Sequence, residues 1–181
     1  SRDIGQYKIF NEIGKGSFGK VYKGIDKLTA KSRIKVYRKK VNIYFIQDKK
    51  DQENLKTYEM KINFLKEQPP NVICLKDVIE TQKEIIIVTD YAGRDLSGVI
   101  EEVKKFSFEK CKELSIQILN AMLYLSENRI THRDLKPQNI LIKNNHIKIC
   151  DFGFAKKLSA STNFMQSMKG TPLYLAPEIV K

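Results

Sequence analysis

The octapeptide HRDLKPQN, from His132 to Asn139, places three different chemical groups within six positions. They are the carboxylate of Asp134, the ammonium of Lys136 and the amide of Asn139. A carboxylate can orient and deprotonate a hydroxyl group, a cation can neutralise a transferring phosphate, and an amide oxygen can bind Mg²⁺. Phosphoryl transfer needs these groups and little covalent chemistry from the protein. The spacing therefore predicts one tight turn that presents all three side chains, with Lys136 reaching the γ-phosphate.

A second candidate metal ligand follows a short apolar stretch further along the chain. The tripeptide DFG begins at Asp151, directly after a predicted strand. A carboxylate at the end of a strand can bind Mg²⁺ through its oxygens. We expect Asp151 and Asn139 to hold one metal ion together, and Phe152 to pack into the core.

A glycine-rich segment, GKGSFGKV, runs from Gly14 to Val21. Glycines allow the backbone to approach phosphate oxygens closely and to point N–H groups at them. A dinucleotide-binding fold would place such a segment before a helix, whereas here a strand is predicted to follow. Further on, Lys35 lies on a predicted third strand, where it could hold phosphate as a point charge. An ordinary exposed lysine is the alternative interpretation.

The elements that must position these residues change character halfway along the chain. Apolar alternation in the first half predicts strands at 7–13, 21–26, around 34–36, 72–79 and 84–89, with a helix over 51–67. In the second half, Ser107 is a predicted N-cap and Glu109 lies in the first turn of a long helix. The predicted buried stripe of this helix comprises Cys111, Leu114, Ile118, Met122 and Leu125.

After this helix, two short predicted strands, 140–142 and 147–150, flank an Asn144-Asn145 turn. The strand-rich part meets the helix-rich part near residues 90–93, and ligand sites favour such junctions.

Composition restricts the classes of function. The 181 residues are 41% hydrophobic and carry a formal net charge of +12. The lysines are scattered without interleaved aromatic residues, so we expect a solvated basic face and no nucleic-acid partner. No apolar run is long enough to predict a transmembrane segment. The three cysteines are predicted to be buried free thiols, which is typical of a cytoplasmic protein. Because the first residue is Ser1, the chain is expected to be part of a longer one.

The order of these motifs resembles that of eukaryotic protein kinases, over residues 7–178. The DLKPQN form is similar to the serine/threonine class. The segments IIIVTDYAGRDL, DFGFA and MKGTPLYLAPEIV look most like the Fused branch, followed by the autophagy-initiating kinases. The resemblance implies an α+β, bilobal protein-kinase fold, with a β-rich N-lobe (about 1–91) and the first part of a helical C-lobe (about 92–181). That single domain, 1–181, would be truncated after the APE motif. It also implies transfer of the ATP γ-phosphate, with Mg²⁺, to a protein Ser/Thr hydroxyl.

The resemblance also implies roles for individual residues. The catalytic set would be Asp134, Lys136, Lys35, Glu59 and Thr171. The nucleotide site would comprise Ile13, Gly14, Gly16, Gly19, Val21, Lys35, Asp90, Ala92, Asp95, Leu141 and Asp151, and the metal ligands would be Asn139 and Asp151. Within that site, the Asp90 carbonyl and the Ala92 backbone would bind adenine. Ser167 would be a regulatory phosphosite whose phosphate pairs with Arg133. Thr89 would be a small gatekeeper, and Leu173 would line the substrate pocket.

Three features depart from the family pattern. Arg33 replaces a small residue expected against adenine. The partner of Lys35 is Glu59 if one helical register holds, but Lys61 occupies that place if another does, since the two point about 200° apart. The chain stops at Lys181, where the family's domain continues. These departures leave open an alternative function, a catalytically impaired pseudokinase that binds nucleotide or acts as a scaffold.

Overall fold

The chain forms two compact units, each with its own sheet structure. The structure, a computed structural model, describes residues 2–16, 19–28, 39–46, 70–81, 85–152, 156–157 and 171–177. The first unit comprises Ser1–Glu67 and Cys74–Tyr91, and the second comprises Gln68–Ile73 and Ala92–Lys181. The short segment before Cys74 thus belongs with the second unit, although both of its flanks belong to the first.

The first unit is built on an antiparallel sheet with the strand order β1-β2-β3-β4-β6-β5 among the described residues. Its strands are β1 (Arg2–Ile4), β2 (Tyr7–Gly16), β3 (Gly19–Asp26), β4 (Lys39–Ile46), β5 (Leu75–Glu80) and β6 (Ile85–Asp90). Because successive side chains of a strand point to opposite faces, residues two apart share a face. Tyr7 and Ile9 on β2 therefore pack together with Ile86 and Val88 on β6 in one buried cluster.

One strand prediction needs correction, and two predictions are not tested. The strand between β3 and β6 is described over Lys39–Ile46. The predicted third strand around 34–36 and the predicted helix over 51–67 lie outside the described residues, so both stay predictions. The strand predicted from Val72 begins instead at Leu75. The cause is tertiary: Val72 forms a parallel bridge with Ile149 of the second unit. Its neighbour Asn71, with a φ of 56°, turns the chain at this point.

The second unit contains two described α-helices and two small sheets. The helices are α1 (Leu96–Val103) and α2 (Phe108–Glu127), and the strands are β7 (Arg94–Asp95), β8 (Ile130–Thr131), β9 (Ile140–Lys143), β10 (His146–Ile149) and β11 (Lys156–Lys157). Strands β10, β9 and β7 form one sheet, and β11 pairs with β8. The β-rich first unit and the helix-containing second unit confirm the predicted fold class.

Helix α2 begins as predicted, because the Ser107 hydroxyl accepts a hydrogen bond from the Lys110 N–H at 3.2 Å. The predicted buried stripe is only partly right. Leu114 and Leu125 are buried, whereas Cys111 is exposed. Phe108, in the same first turn of the helix, is also exposed. None of the helices in the described ranges has the length and apolar character needed to cross a membrane.

The hairpin formed by β9 and β10 agrees with the predicted strands and turn. Its two turn residues, Asn144 and Asn145, have φ angles of 49° and 64°. Two consecutive positive φ values define the type I′ turn, whose twist matches that of the flanking strands. Asparagine tolerates this conformation better than most residues do. The sequence thus determines a tight, regular hairpin here, and the buried residues Ile140, Ile147 and Ile149 hold it in the core.

Candidate active site

The β9–β10 hairpin brings the two predicted metal ligands to one end. Asn139 directly precedes β9, and Asp151 is the second residue after the end of β10. The register pairs Ile140 with Ile149, and the Cys150 N–H donates to the Asn139 carbonyl at 2.9 Å. The two candidate ligands are therefore adjacent across the same pair of strand ends. Asp151 has a φ of 61°, a left-handed conformation that a side chain adopts at a cost.

Strand β10 is also held along its other edge. The Ile149 N–H donates to the Asn71 carbonyl at 2.8 Å, and the Ile73 N–H donates to the Ile149 carbonyl at 2.9 Å. The Gln117 side chain of α2 accepts from the Ile147 N–H at 2.9 Å and from the Asn71 amide at 3.1 Å. Strand β9, the segment around Asn71 and helix α2 consequently hold β10 in place, and with it the residues that follow, Cys150 and Asp151.

Among the predicted catalytic residues that the structure describes, Asp134 accepts the most side-chain hydrogen bonds. Its side chain is 2% exposed. Oδ1 accepts from the Thr171 N–H at 2.9 Å and from the Thr171 hydroxyl at 2.6 Å. Oδ2 accepts from the Asn139 amide at 3.1 Å and lies 2.9 Å from the Lys136 ammonium. A carboxylate has about four lone-pair sites, so these four donors use its whole capacity.

The charge state of Asp134 follows from this arrangement. Burial opposes ionisation, but hydrogen bonds from Thr171 and Lys136, the Lys136 charge and the Asn139 amide together outweigh it. They hold the pKa of Asp134 below its ordinary value. Asp134 is therefore a carboxylate, and not a carboxylic acid, at neutral pH.

Thr171 bridges the Asp134 carboxylate and the Lys136 ammonium. Its hydroxyl donates to Asp134 and accepts a hydrogen bond from the Lys136 ammonium at 2.6 Å. Thr171 comes from a segment 35 residues beyond Lys136, so a long-range contact completes the turn. The structure thus brings four predicted site residues together: Asp134, Lys136, Asn139 and Thr171.

The buried side chain of His132 supports the turn that carries Asp134, Lys136 and Asn139. Its Nε2–H donates to the Cys150 carbonyl at 2.9 Å, and its Nδ1 accepts the Asp134 N–H at 3.3 Å. These partners require the neutral tautomer with the proton on Nε2. Burial lowers the pKa of His132, which agrees with a neutral ring. The ring also packs edge-on against Phe152, with centroids 4.8 Å apart, so Phe152 does lie in the core.

The residues present fit a magnesium ion. Asn139 is buried, and its side-chain amide nitrogen donates hydrogen bonds to the Asp134 carbonyl at 2.8 Å and to the Asp134 carboxylate at 3.1 Å. Its side-chain oxygen accepts no hydrogen bond from the described residues. A buried oxygen without a donor is costly unless a cation satisfies it, and Mg²⁺ prefers oxygen ligands such as this one and the Asp151 carboxylate.

Three of the residues that are predicted to bind nucleotide lie near one another in the second unit. Asp95 on β7 is the register partner of Leu141 on β9. Ala92 is buried just before them, and Gly93 between has a φ of 96°. A Cβ atom at Gly93 would lie 2.1 Å from the Ile142 carbonyl, so only glycine fits. The Asp95 carboxylate also caps α1 by accepting the Gly98 N–H at 2.9 Å.

The other predicted nucleotide-binding residues that the structure describes lie in the first unit. Gly14 pairs with Val21, and Gly16 with Gly19, across the β2–β3 hairpin. Val21 is buried, whereas Ile13 is 50% exposed. Asp90 ends β6, next to the buried Thr89, which is the predicted gatekeeper.

Several predicted residues lie outside the described ranges. They are Lys35, Glu59 and Ser167, together with Arg33 and Lys61. Their roles therefore stay predictions. Arg133 is described: it is half-buried with a φ of 67°, and burial lowers its pKa.

Sequence reasoning missed one supporting residue that carried a signal. Gln117 lies three positions after Leu114 and four before Ala121, both of which are buried on α2. Such spacing places a polar side chain beside the buried stripe of a helix. A polar residue there must find partners, and Gln117 finds three through Asn71, Ile147 and the Asn145 carbonyl.

The two units and the arrangement of the catalytic turn define a protein kinase, and comparison with known families agrees. The protein kinase domain model matches residues 7–181. The chain therefore belongs to the protein kinase family.

Among individual relatives, the chain is 38% identical over 178 residues to serine/threonine-protein kinase 36 of Pongo abelii, covering 97% of this chain and 13% of that protein. It is 38% identical over 181 residues to serine/threonine-protein kinase TIO of Arabidopsis thaliana, covering 98% and 13% respectively. It is 36% identical over 178 residues to serine/threonine-protein kinase fused of Drosophila melanogaster, covering 98% and 21%. The predicted similarity to the Fused branch is confirmed, and the similarity to autophagy-initiating kinases stays a prediction. The chain spans only a small part of the length of these relatives.

Proposed function

We propose that this domain transfers the γ-phosphoryl group of Mg·ATP to a serine or threonine hydroxyl of a protein. The observation that carries the proposal is the state of Asp134, which is almost fully buried and yet held as a carboxylate by four donors. A buried charge is costly, so such an arrangement is typical of a residue with a catalytic role.

Asp134 is the proposed acceptor of the substrate hydroxyl proton. Its four lone-pair sites are all in use, so one donor must leave before the hydroxyl can bind. Lys136 is the proposed donor that leaves, because a γ-phosphate offers its ammonium another anionic partner. Its departure from Oδ2 frees one lone pair next to the Asn139 amide. The hydroxyl then donates to Oδ2, its oxygen attacks phosphorus, and ADP is the leaving group.

Asn139 and Asp151 are the proposed magnesium ligands, and Mg²⁺ supplies charge neutralisation on the phosphates. The proposed nucleotide site combines Lys35 with the glycine hairpin, Asp90, Ala92, Asp95 and Leu141. Thr171 is proposed to keep Asp134 and Lys136 in register through its bridging hydroxyl. Regulation by phosphorylated Ser167 acting on Arg133 is proposed from the family resemblance alone, as is the pairing of Lys35 with Glu59.

A cytoplasmic location is proposed because the described cysteines are free thiols, as expected in a reducing compartment. The proposed partners are ATP and a protein that carries the acceptor hydroxyl.

The test is phosphate transfer from labelled Mg·ATP to a generic basic protein, using the longest natural chain that contains this segment. Asp134→Asn should lower the rate by about 10² to 10⁴, the usual contribution of a general base. Asp151→Asn should abolish transfer by removing a proposed metal ligand. Glu102→Gln is the matched control, since Glu102 is an exposed acid paired with Arg94 in the same unit.

A folded wild-type chain that binds ATP but transfers no phosphate would support the alternative, a nucleotide-binding or scaffolding pseudokinase. Arg33 and the choice between Glu59 and Lys61 motivate that alternative.

A further inference from the structure

Strand β5 contains a β-bulge at Lys76. In its pairing with β6, Leu75 lies opposite Thr89 and Asp77 lies opposite Val88. Leu75 and Asp77 are therefore two positions apart on β5 while their partners are adjacent on β6, and Lys76 between them is the additional residue. Bulges re-aim a side chain and occur often beside active sites.

The bulge is held in place on both sides. Leu75 before it is buried. Asp77 after it accepts a hydrogen bond from the buried Tyr7 hydroxyl of β2 at 3.2 Å. Burial and the neighbouring Asp77 raise the pKa of Tyr7 to about 12, so the hydroxyl remains a donor at neutral pH. The direction of the Lys76 side chain is thus a fixed property of the sheet.

Lys76 points its ammonium at the last residue of β6. Its Nζ lies 3.1 Å from Asp90 Oδ1, and the two side chains are only 25% and 22% exposed. The Asp90 N–H also donates to the Cys74 carbonyl at 2.9 Å. Asp90, at the end of β6, is consequently held by a main-chain hydrogen bond to Cys74, which directly precedes β5, and by an ion pair with Lys76 of β5.

The Asp90 carbonyl is the group that this arrangement orients. The Thr89 hydroxyl donates to it at 3.3 Å. A carbonyl oxygen has two lone pairs, so it can accept a second donor. Under the proposed function, on which this inference rests, the second donor is the 6-amino group of adenine.

We propose that Lys76 is a positioning residue for recognition of the nucleotide base. Through its ion pair with Asp90, it fixes the end of β6 and aims the Asp90 carbonyl at the 6-amino group. Lys76 does not contact the nucleotide itself. It acts on the preference for a purine that carries this amino group over one that lacks it.

An ion pair that merely stabilises the sheet would predict a different result. Loss of such an ion pair would lower the affinity for all nucleotides equally, or for none, because the binding of the base would depend only on the general stability of the unit. A positioning role predicts a loss that depends on the 6-amino group, since hydrogen bonds weaken steeply when donor and acceptor are misaligned.

The experiment measures dissociation constants of ATP and of purine riboside triphosphate, which lacks the 6-amino group, for the longest natural chain. Lys76→Met should weaken ATP binding by about fivefold, the upper range for a single ion pair. Binding of purine riboside triphosphate should change by less than about twofold, which is within the usual scatter of surface substitutions. Lys76→Arg should restore the preference for ATP, because it keeps the charge. Lys27→Met is the matched control, since it removes the Lys27–Asp3 ion pair elsewhere in the same sheet.

A double-mutant cycle keeps the test decisive if a single variant is unstable. In a background of Asp90→Asn, which retains the carbonyl but removes the charge, Lys76→Met should have no further effect on the preference for ATP. Equal weakening of both nucleotides, or an unchanged preference in Lys76→Met, would overturn this inference while leaving the proposed function intact. A wild-type chain that binds no ATP would overturn both.

Discussion

The two hairpins that carry predicted phosphate and metal ligands are built differently. The β9–β10 hairpin has a two-residue type I′ turn, an unbroken register and three buried isoleucines. The β2–β3 hairpin has register shifts between Ile9 and Glu12 and between Glu12 and Gly14. Its Glu12–Lys20 ion pair, at 3.2 Å, is exposed.

This difference corresponds to what each hairpin is proposed to hold. A metal ion requires ligands at fixed positions, and Asn139 and Asp151 lie at the ends of the regular hairpin. A triphosphate must enter and leave, so we infer that the proposed phosphate-binding hairpin holds it through backbone N–H groups. We infer that substitutions around the β9–β10 hairpin alter the site even without a ligand. Substitutions in the β2–β3 hairpin should act mainly when nucleotide is bound.

Among the substitutions that test this comparison, the largest effect is expected at Thr171, whose hydroxyl bridges Asp134 and Lys136 beside the β9–β10 hairpin. Thr171→Val keeps the shape and the N–H donor but removes the bridging hydroxyl. Asp134 and Lys136 each lose a partner, so the transfer rate should fall by about 10- to 100-fold, equivalent to the ~1–3 kcal/mol of an unsatisfied buried group. Steady-state kinetics measure the rate, and Thr171→Ser is the control that should retain most of it. Equal rates in the valine and serine variants would contradict the bridging role.

The turn of the β9–β10 hairpin offers a test of its rigidity. Asn145→Val places a β-branched residue at a φ of 64°, which should lower the free energy of unfolding by about 1–2 kcal/mol. Asn145→Gly should be tolerated, because glycine adopts positive φ freely. Urea denaturation of both variants provides the measurement. A valine variant as stable as the glycine variant would show that the turn conformation is not required.

The neutral His132 beneath the catalytic turn predicts a pH dependence of stability. Burial lowers its pKa from the ordinary 6.5, so the unfolded chain binds the proton first. Its contribution to stability is complete above pH 6.5 and should decline as pH falls below that value, with at most about 1.4 kcal/mol lost per pH unit. Denaturation midpoints between pH 7.5 and 5 measure the slope. His132→Gln should flatten this slope.

The smallest effect is expected in the β2–β3 hairpin. A Cβ atom at Gly14 would meet nothing within 4 Å, so Gly14→Ala should change the free energy of unfolding by no more than about 0.5 kcal/mol. If phosphate oxygens approach this backbone, the same variant should still weaken ATP binding. Calorimetric unfolding and ATP titration of one preparation separate the two. A variant that loses stability but not ATP affinity would remove the proposed contrast between the hairpins.

Local patterns predicted the elements that depend on neighbouring residues alone. Ser107 was identified as an N-cap because capping uses a side chain and an N–H three residues apart. The Asn144-Asn145 turn followed from the tolerance of asparagine for positive φ. The spacing of Asp134, Lys136 and Asn139 likewise predicted one turn, since five residues cannot separate the groups widely.

Patterns failed where a distant segment decides the outcome. Val72 is an apolar residue in a strand-like run, yet it bridges to Ile149, 77 positions later in the sequence. Cys111 has the helical spacing of a core residue, yet it is exposed in the folded chain. The ion pair of Lys76 with Asp90 depends on a bulge that alternation cannot reveal, because an additional residue in one strand is defined only by its partner.

The amino-acid sequence by itself determined which chemical groups this kinase domain possesses and their order along the chain, because composition and short spacing are local properties. Only the tertiary structure decided how those groups are charged and oriented. The pKa of Asp134 depends on Thr171, which is 37 residues away, and the position of Asp151 depends on a helix and a loop far from it in sequence. Electrostatic and hydrogen-bond energies depend on distance in space, and folding alone sets that distance.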